Sequence, residues 1–371
     1  MWKEWCGMPA QSRSLSLAPP EVVRSYSAAL NGSFRPAAWR FIGLWLLVSL
    51  FALVYRFHPY YQRPLFSALQ ALLINLYGWF CLVGVFYVWL TYRRRRRVRD
   101  DFTGPGLLAL SFVRHCWQAI RSHSWIPWQR YWRSPRVQRL LLLLGVKFFF
   151  VPLMIVFLAG HLAEARRLWQ QSSPTPAGLE WISWGIAFSY QLIFLCDTAV
   201  ALIGYSFESL WLKNKTRSVD RTWSGWVVCL MCYPPFNDIA GLYLPLDEGT
   251  TALGLGNVAL LGLRGLALVF FLVYLWATLA LGVRFSNLSN KGIVARGPYR
   301  WVRHPAYVCK NLAWWMEKLP TMAGFHNVLP LLAWNLVYVL RGLTEERHLW
   351  AHPTYRAYCE QVRYRFIPGV W

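Results

Sequence analysis

Long apolar runs are the feature of this sequence that most restricts what it can fold into. About twenty apolar residues cross the ~30 Å hydrocarbon layer of a bilayer as a helix, and six runs approach or exceed that length. They cover residues 39–55, 65–90, 140–162, 181–207, 223–246 and 253–283. The composition agrees, because 56% of the 371 residues are hydrophobic and only 15% are charged. The sequence predicts an all-α, polytopic integral membrane protein with six transmembrane helices.

Basic residues predict how these helices are oriented. The run "YRRRRRVRD" at 92–100 follows the second apolar run, and the loop 213–221 is also basic, whereas the loop with Asp247 and Glu248 is acidic. Because Lys and Arg accumulate in cytoplasmic loops, both termini are predicted to be cytoplasmic. We attribute the net charge of +23 to this orientation and to contact with anionic headgroups, and we predict no binding of nucleic acid.

Three regions follow from this pattern. The segment 1–38 is predicted to be cytoplasmic, and it lacks the short apolar core and cleavage site of a signal peptide. The transmembrane region, 39–283, includes a tryptophan-rich stretch, 92–139, in which Arg and His interrupt the apolar residues. We predict that this stretch lies in the membrane interface. The third region, 284–371, carries the residues with the clearest chemical character.

The fifth apolar run contains "CLMCYPPFNDIAG", which is unusual for a transmembrane helix. Its double proline removes backbone donors and breaks or kinks the helix. Asn237 and Asp238 follow in apolar surroundings, and we predict that they line a site for a membrane-embedded substrate, with Asp238 as a catalytic residue. The alternative is that Asp238, like Asp197 in the fourth run, forms a structural ion pair. Cys229 and Cys232 have no second cysteine pair, so no metal site is predicted.

The stretch "GPYRWVRHPAYV" at 297–308 places two arginines, a histidine and three aromatic rings in twelve positions. Proline disfavours helix in the residue before it and is common at the first helical position. A helix is therefore predicted to begin at Pro305 with His304 near its cap, and to end at Pro320, too short to cross a bilayer. Its free N–H groups bind anions, and Arg300 and Arg303 add partners for a carboxylate or phosphate.

A second apolar segment returns after a turn, so the two segments are predicted to form a helical hairpin. The hairpin brings the predicted number of membrane helices to about eight, and a polar, aromatic cytoplasmic helix follows it. If the hairpin closes, Arg303 and His304 at its start lie beside Glu345 and Glu346 at its end. One interpretation is a salt bridge that clamps the hairpin. The other is a zwitterionic ligand held between groups of opposite charge.

Three parts of the C-terminal region carry a resemblance to known enzymes. "KGIVARGPYRWVRHPAYV", then "TEER", then "YRAYCEQVRYRFIPG" resemble the isoprenylcysteine carboxyl methyltransferase family and its relatives among the membrane phospholipid methyltransferases. The likeness covers about residues 287–371. Each of these motifs alone is weak evidence for the family, but their order and spacing together are fairly specific for it. The first 280 or so residues resemble no family that we can name.

The resemblance implies an enzyme that binds S-adenosylmethionine from the cytoplasm and methylates a lipid or isoprenoid acceptor reached from the bilayer. The acceptor group would be a carboxylate or an amine. Arg303 and Glu346 are the expected catalytic residues within this region. The residues expected to bind the cofactor are Gly297, Tyr299, Arg300, Arg303, His304, Pro305, Tyr307, Glu345 and Glu346.

Two other functions remain open at this stage. Membrane sterol reductases, which use NADPH, have a similar C-terminal layout, but Ala306 here replaces their asparagine. The chain could also be a noncatalytic membrane protein that keeps the fold. Directly after the motif, Cys309 stands where many relatives have glycine, and Lys310 follows it. Lys310 and Glu317 are seven residues apart on one helix face, and we predict that they pair.

Overall fold

The computed structural model describes residues 34–62, 67–94, 104–171, 178–208, 212–243, 254–322 and 325–370. This part of the chain is mostly α-helical, as predicted. Most of the N-terminal segment 1–38 lies outside the described residues, as do most of the arginine run at 92–100 and the acidic loop. The structure therefore does not test the orientation of the helices.

The N-terminal half begins with five helices. They are α1 (Phe34–Phe57), α2 (Pro59–Gln62), α3 (Ser67–Arg94), α4 (Gly104–Arg121) and α5 (Ile126–Arg133). Helix α1 packs against α3 and α4, and α4 leads through α5 toward the next long helix. On α4 and in the turn before α5, Trp117 and Trp125 are exposed, as the interfacial prediction for 92–139 expects. The next helix begins at Pro135, so it overlaps the last residues of the stretch 92–139.

The remaining helices form the larger body of the protein. They are α6 (Pro135–Gln171), α7 (Leu179–Ser206), α8 (Trp223–Leu230), α9 (Phe236–Tyr243), α10 (Asn257–Leu281), α11 (Pro305–Lys318), α12 (Phe325–Leu349) and α13 (Pro353–Gln361). Helix α7 packs between α6 and α10, and α10 packs against α11. Phe150 of α6 stacks on Tyr205 of α7 with ring centroids 4.8 Å apart, at the centre of a buried apolar cluster.

Four helical stretches within the described residues are long and apolar enough to span a membrane. They are Ala68–Phe86, Val137–Gln171, Leu179–Ser206 and Asn257–Arg284. Each coincides with a predicted run, which supports an integral membrane protein. The first predicted run, 39–55, forms a helix whose apolar part, Phe41–Phe57, is shorter than these four.

The prediction of a spanning helix over 223–246 is wrong. Helices α8 and α9 have eight residues each, about 12 Å at helical rise, and neither crosses the hydrocarbon layer. A turn at 231–235 separates them. The physical reason is the double proline, since Pro234 and Pro235 lack the N–H groups that would continue the helix.

A two-stranded antiparallel sheet connects two distant parts of the chain. Strand β1 (Ser218–Val219) pairs with strand β2 (Ser289–Asn290). Backbone bonds from Arg217 N to Asn290 O and from Asp220 N to Leu288 O, both 2.7 Å, extend the ladder at each end. The loop before α8 is thereby fixed against the segment that leads to the motif at 297–308.

Candidate functional site

The motif at 297–308 folds as a short 3₁₀ turn followed by a helix. The turn covers Gly297–Arg300, and Gly297 has φ +61°, a left-handed conformation that favours glycine. Helix α11 begins at Pro305 with His304 at its cap, which confirms the prediction. The His304 ring stacks on the Tyr307 ring, with centroids 5.4 Å apart. The first turn of α11 thus fixes the imidazole in one orientation.

The C-terminal segment closes over this motif. The backbone N–H groups of Arg303 and His304 donate to the carbonyl oxygens of Tyr364 and Arg365, at 2.9 Å each. Phe366 then stacks on His304 at 5.2 Å. Gly342 of α12 permits this close packing, because a Cβ there would lie 2.7 Å from Phe366. The motif is therefore held from one side by residues that follow it by about sixty positions.

Glu346 is the centre of a buried ion-pair cluster. Its Oε1 atom lies 3.2 Å from both Arg303 Nε and His304 Nε2, and its Oε2 atom accepts a 2.7 Å hydrogen bond from Arg365 Nε. Burial alone raises the pKa of Glu346, but the hydrogen bond with His304 and the charges of Arg303 and Arg365 outweigh burial and hold the pKa below its ordinary value. The start and end of the hairpin are therefore side by side, as predicted.

Glu345 faces a different environment from its neighbour. One of its oxygens accepts a short hydrogen bond from Tyr307, and the same oxygen lies 3.6 Å from Arg341 Nε. Its other oxygen is 4.0 Å from His304 Nδ1. Unlike Glu346, this carboxylate lines an open cleft. Burial and the negative charge of Glu345 both raise the pKa of Tyr299, which places that phenol near the same carboxylate.

The cleft has a volume of about 70 Å³, smaller than the ~300–1,000 Å³ that is usual for small-molecule sites, so a bound cofactor requires its walls to move apart. Three parts of the chain form it: the start of α8, the strand β2 region and the last turns of α12. Its lining includes both charge signs, hydroxyl groups and apolar side chains. The lining residues are Asp220, Gly225, Cys229, Ser286, Leu288, Ser289, Arg341, Thr344, Glu345, His348 and Leu349.

Arg341 is the buried cation of this cleft. Its guanidinium lies over the rings of Tyr307, Tyr233 and Tyr338, at 5.0, 5.4 and 5.9 Å, and it donates to Asn287 Oδ1. Its Nε atom is buried with no hydrogen-bond acceptor among the described residues, since Glu345 lies beyond hydrogen-bond length. A buried guanidinium N–H without an acceptor costs free energy, so this donor has capacity for a ligand.

An acid, Asp220, lies on the wall opposite Arg341, and a histidine, His348, lines the cleft from α12. Asp220 Oδ1 accepts hydrogen bonds from the backbone N–H and hydroxyl of Thr222, at 2.8 and 2.7 Å. Ser218 Oγ lies 3.1 Å from His348 Nε2 and 2.7 Å from His352 Nε2. Burial is the main cause that lowers the pKa of His348, and His352 adds to it while Asp220 opposes it. Burial therefore disfavours the protonated form of the His348 imidazole.

The other residues predicted for the site fall into two groups. Tyr299 lies in the 3₁₀ turn and Pro305 begins α11, whereas Arg300 is exposed and stacks on Trp301 at 4.8 Å. Asp238 is exposed in the first turn of α9 and does not line the cleft. Asn237 has a buried Oδ1 atom with no hydrogen-bond partner among the described residues. A role for this pair in acceptor binding stays a prediction.

The prediction that Lys310 pairs with Glu317 is wrong. Glu317 Oε1 accepts a 2.6 Å hydrogen bond from the Tyr190 hydroxyl on α7. The Lys310 ammonium instead lies among three aromatic rings. The two residues are two helical turns apart on α11, about 10 Å along the axis, and the neighbouring helices give each of them a different partner.

Comparison with protein families gives this arrangement a chemical context. Residues 265–351 match the family model of the isoprenylcysteine carboxyl methyltransferase (ICMT) family. That stretch is ICMT-like. It includes the motif, the hairpin and the glutamate pair, and it agrees with the likeness predicted from the sequence. A search of curated proteins finds no match to the chain. The match implies a methyltransferase domain within a helical membrane protein.

Sequence reasoning missed part of the cleft. Eight of the lining residues belong to the ICMT-matched region, but Asp220, Gly225 and Cys229 precede it. Arg341 lies one helical turn before Glu345 in an apolar run, and this i,i+4 spacing could have identified it. The pattern Asp-x-Thr before an apolar helix could have identified Asp220 as a turn residue. Neither pattern predicts that the two walls meet, because that depends on the pairing of β1 with β2.

Proposed function

We propose that the chain is an S-adenosylmethionine-dependent methyltransferase that acts on a membrane-embedded lipid or isoprenoid acceptor, at a carboxylate or an amine. The observation that carries this proposal is the cleft beside the ICMT-matched hairpin, in which Arg341 and Glu345 offer opposite charges to one ligand. The apolar helices around it supply the bilayer setting that a lipid acceptor needs.

The side chains of the cleft fit the groups of S-adenosylmethionine. The ligand has a carboxylate, an ammonium, a sulfonium, ribose hydroxyls and an adenine ring. Arg341 has a buried donor for the carboxylate, and the acids Glu345 and Asp220 suit the ammonium and the hydroxyls. Cys229, Leu288 and Leu349 provide apolar surface. The lining thus supplies partners of suitable chemistry for the carboxylate and the ammonium.

Different roles follow for the residues that the resemblance assigns to the cofactor. We assign Glu345 and Tyr307 to direct contact with the cofactor, because Glu345 lines the cleft and the Tyr307 hydroxyl donates a hydrogen bond to the Glu345 carboxylate. Arg303, His304 and Glu346 lie behind them in the buried cluster. These three act as positioning residues that hold the two ends of the hairpin together.

When bound, S-adenosylmethionine supplies an electrophilic methyl group on its sulfonium. The chain contributes alignment and exclusion of water, since an in-line displacement depends on the approach geometry of the two reactants. An acceptor carboxylate attacks without losing a proton, so it needs no general base. An amine acceptor needs deprotonation first, and we assign no residue to that step.

We place the cleft and both termini on the cytoplasmic side. The basic loop 213–221, which contains β1 and Asp220, supports this orientation. S-adenosylmethionine then reaches the cleft from the cytoplasm, and the acceptor enters between helices from the bilayer.

Ligand binding by the purified full-length protein tests the proposal. Isothermal titration in lipid nanodiscs should detect S-adenosylmethionine and its product S-adenosylhomocysteine, and tritium from methyl-labelled S-adenosylmethionine should appear in the organic phase of a lipid extract. NADPH should not bind. Affinity for NADPH without affinity for S-adenosylhomocysteine would instead favour a reductase. A folded protein that binds neither compound would favour a noncatalytic role.

A further inference from the structure

Lys310 is a cation enclosed by aromatic rings from three helices. Its Nζ atom lies 5.2 Å from the ring centroid of Trp314 on α11, 5.8 Å from Tyr274 on α10 and 5.9 Å from Tyr338 on α12. Tyr274 and Tyr338 are buried, and Lys310 itself is half-buried. The π faces of these rings stabilise a positive charge, so the site keeps an ammonium ion in apolar surroundings.

The ammonium is not in direct contact with an acid of the described residues, although its charge interacts with that of Asp197. Lys310 forms no hydrogen bond or ion pair with any described residue. The acid nearest in the fold, Asp197, is already engaged, because the hydroxyls of Tyr274 and Thr278 donate to its two oxygens at 2.7 Å each. The three N–H donors of Lys310 thus have no acceptor among the described residues, and leaving such donors unpaired in apolar surroundings is costly.

This cage adjoins the cleft of the proposed methyl donor. The Tyr338 ring has Lys310 and Arg341 each 5.9 Å from its centroid. Along α11, Lys310 follows Tyr307 by three residues, so it lies one helical turn further from the carboxylate of Glu345. A group bound at Lys310 would therefore lie next to the cleft, on the side of the membrane helices.

We propose that Lys310 determines acceptor specificity by binding an acidic group of the methyl acceptor, either a carboxylate or a phosphate. This inference rests on the proposed methyltransferase function. The ammonium donates hydrogen bonds to one oxygen of the acidic group and anchors the amphiphile, while the apolar part of the acceptor lies among the helices. An acceptor without an acidic group lacks this anchor and binds more weakly.

A set of single-chain amphiphiles tests the proposal. Dodecanoate, dodecyl phosphate, dodecylammonium and dodecanol are titrated into full-length protein in an uncharged detergent with saturating S-adenosylhomocysteine. The wild type should bind the two anions at least about tenfold more tightly than dodecanol or dodecylammonium, a difference of ~1.4 kcal/mol. Lys310→Met should abolish this preference, and Lys310→Arg should retain most of it. The matched control Lys318→Met, at the end of the same helix, should behave as the wild type.

The outcomes separate this inference from the function on which it rests. Absence of S-adenosylhomocysteine binding in the wild type contradicts the proposed function itself. If that ligand binds but the wild type shows no preference for anions, or Lys310→Met keeps the preference, the inference about Lys310 is wrong. The structural alternative is that Lys310 serves only to balance the charge of Asp197. A double-mutant cycle that compares the unfolding of Lys310→Met, Asp197→Asn and the double variant tests it. Strong coupling between Lys310 and Asp197, with anion preference unchanged in Lys310→Met, would show that Lys310 only balances the buried acid.

Discussion

Glu345 and Glu346 are adjacent on α12, yet their carboxylates have different surroundings. Glu346 is 4% exposed and is enclosed by Arg303, His304 and Arg365. Glu345 instead contacts Tyr307 and lines the cleft. Successive residues of a helix point about 100° apart, so one acidic pair can both close the hairpin and face a ligand.

Neutral amides at these two positions should therefore have different effects. Glu345→Gln should weaken S-adenosylhomocysteine binding about tenfold, because an amide loses the charge attraction to the ligand ammonium. Its unfolding midpoint should change little. Glu346→Gln should destabilise the protein by ~3–5 kcal/mol, because the buried arginine then loses its counter-ion. Titration calorimetry and thermal unfolding in detergent measure the two effects. Equal losses of binding and stability in both variants would contradict the division of roles.

Arg341 should tolerate no substitution by lysine. A lysine keeps the charge but loses the planar fork that donates to Asn287 and to a ligand carboxylate. We expect Arg341→Lys to reduce S-adenosylhomocysteine affinity by more than about tenfold. Arg347→Lys is the matched control, because Arg347 lies on the same helix and donates to Thr222 and Ser224. A similar affinity for the two variants would remove Arg341 from the ligand site.

Gly342 should be required for closure of the C-terminal segment. In Gly342→Ala the new methyl group would overlap the Phe366 ring, and such overpacking costs ~1–3 kcal/mol. The segment whose carbonyl groups accept hydrogen bonds from Arg303 and His304 should then separate from the motif. Limited trypsin digestion checks this, since Arg363 and Arg365 should be cleaved faster in the variant. Gly160→Ala, where a Cβ has open space, is the control and should show the wild-type rate.

His348 should make the stability depend on pH. Its pKa is lower in the folded protein than its usual value, so the unfolded chain binds a proton at higher pH than the folded chain does. Stability should therefore fall as the pH drops from about 7 through the usual value of ~6.5, and the loss should be complete below the folded pKa. Unfolding midpoints across this range should fall less in His348→Asn. An equal slope in both proteins would contradict the expected shift.

Local rules predicted the elements of the site better than their assembly. The start of α11 at Pro305 follows from the restriction that proline places on His304, and the proximity of Glu346 to Arg303 follows from the hairpin. The double proline predicted a break, but not that both resulting helices would be too short to span. The partners of Lys310 were not predictable from its own helix, because Tyr274 and Tyr338 come from helices on either side of it in the sequence.

The short ladder between Ser218–Val219 and Ser289–Asn290 has a consequence for engineering. It anchors the wall with Asp220 to the ICMT-matched region, so the C-terminal part alone lacks one side of the cleft. A transplant of residues 265–351 into another membrane scaffold would carry the motif without its opposing wall. A chimera that is meant to bind the same ligand therefore has to bring the 212–230 segment with it.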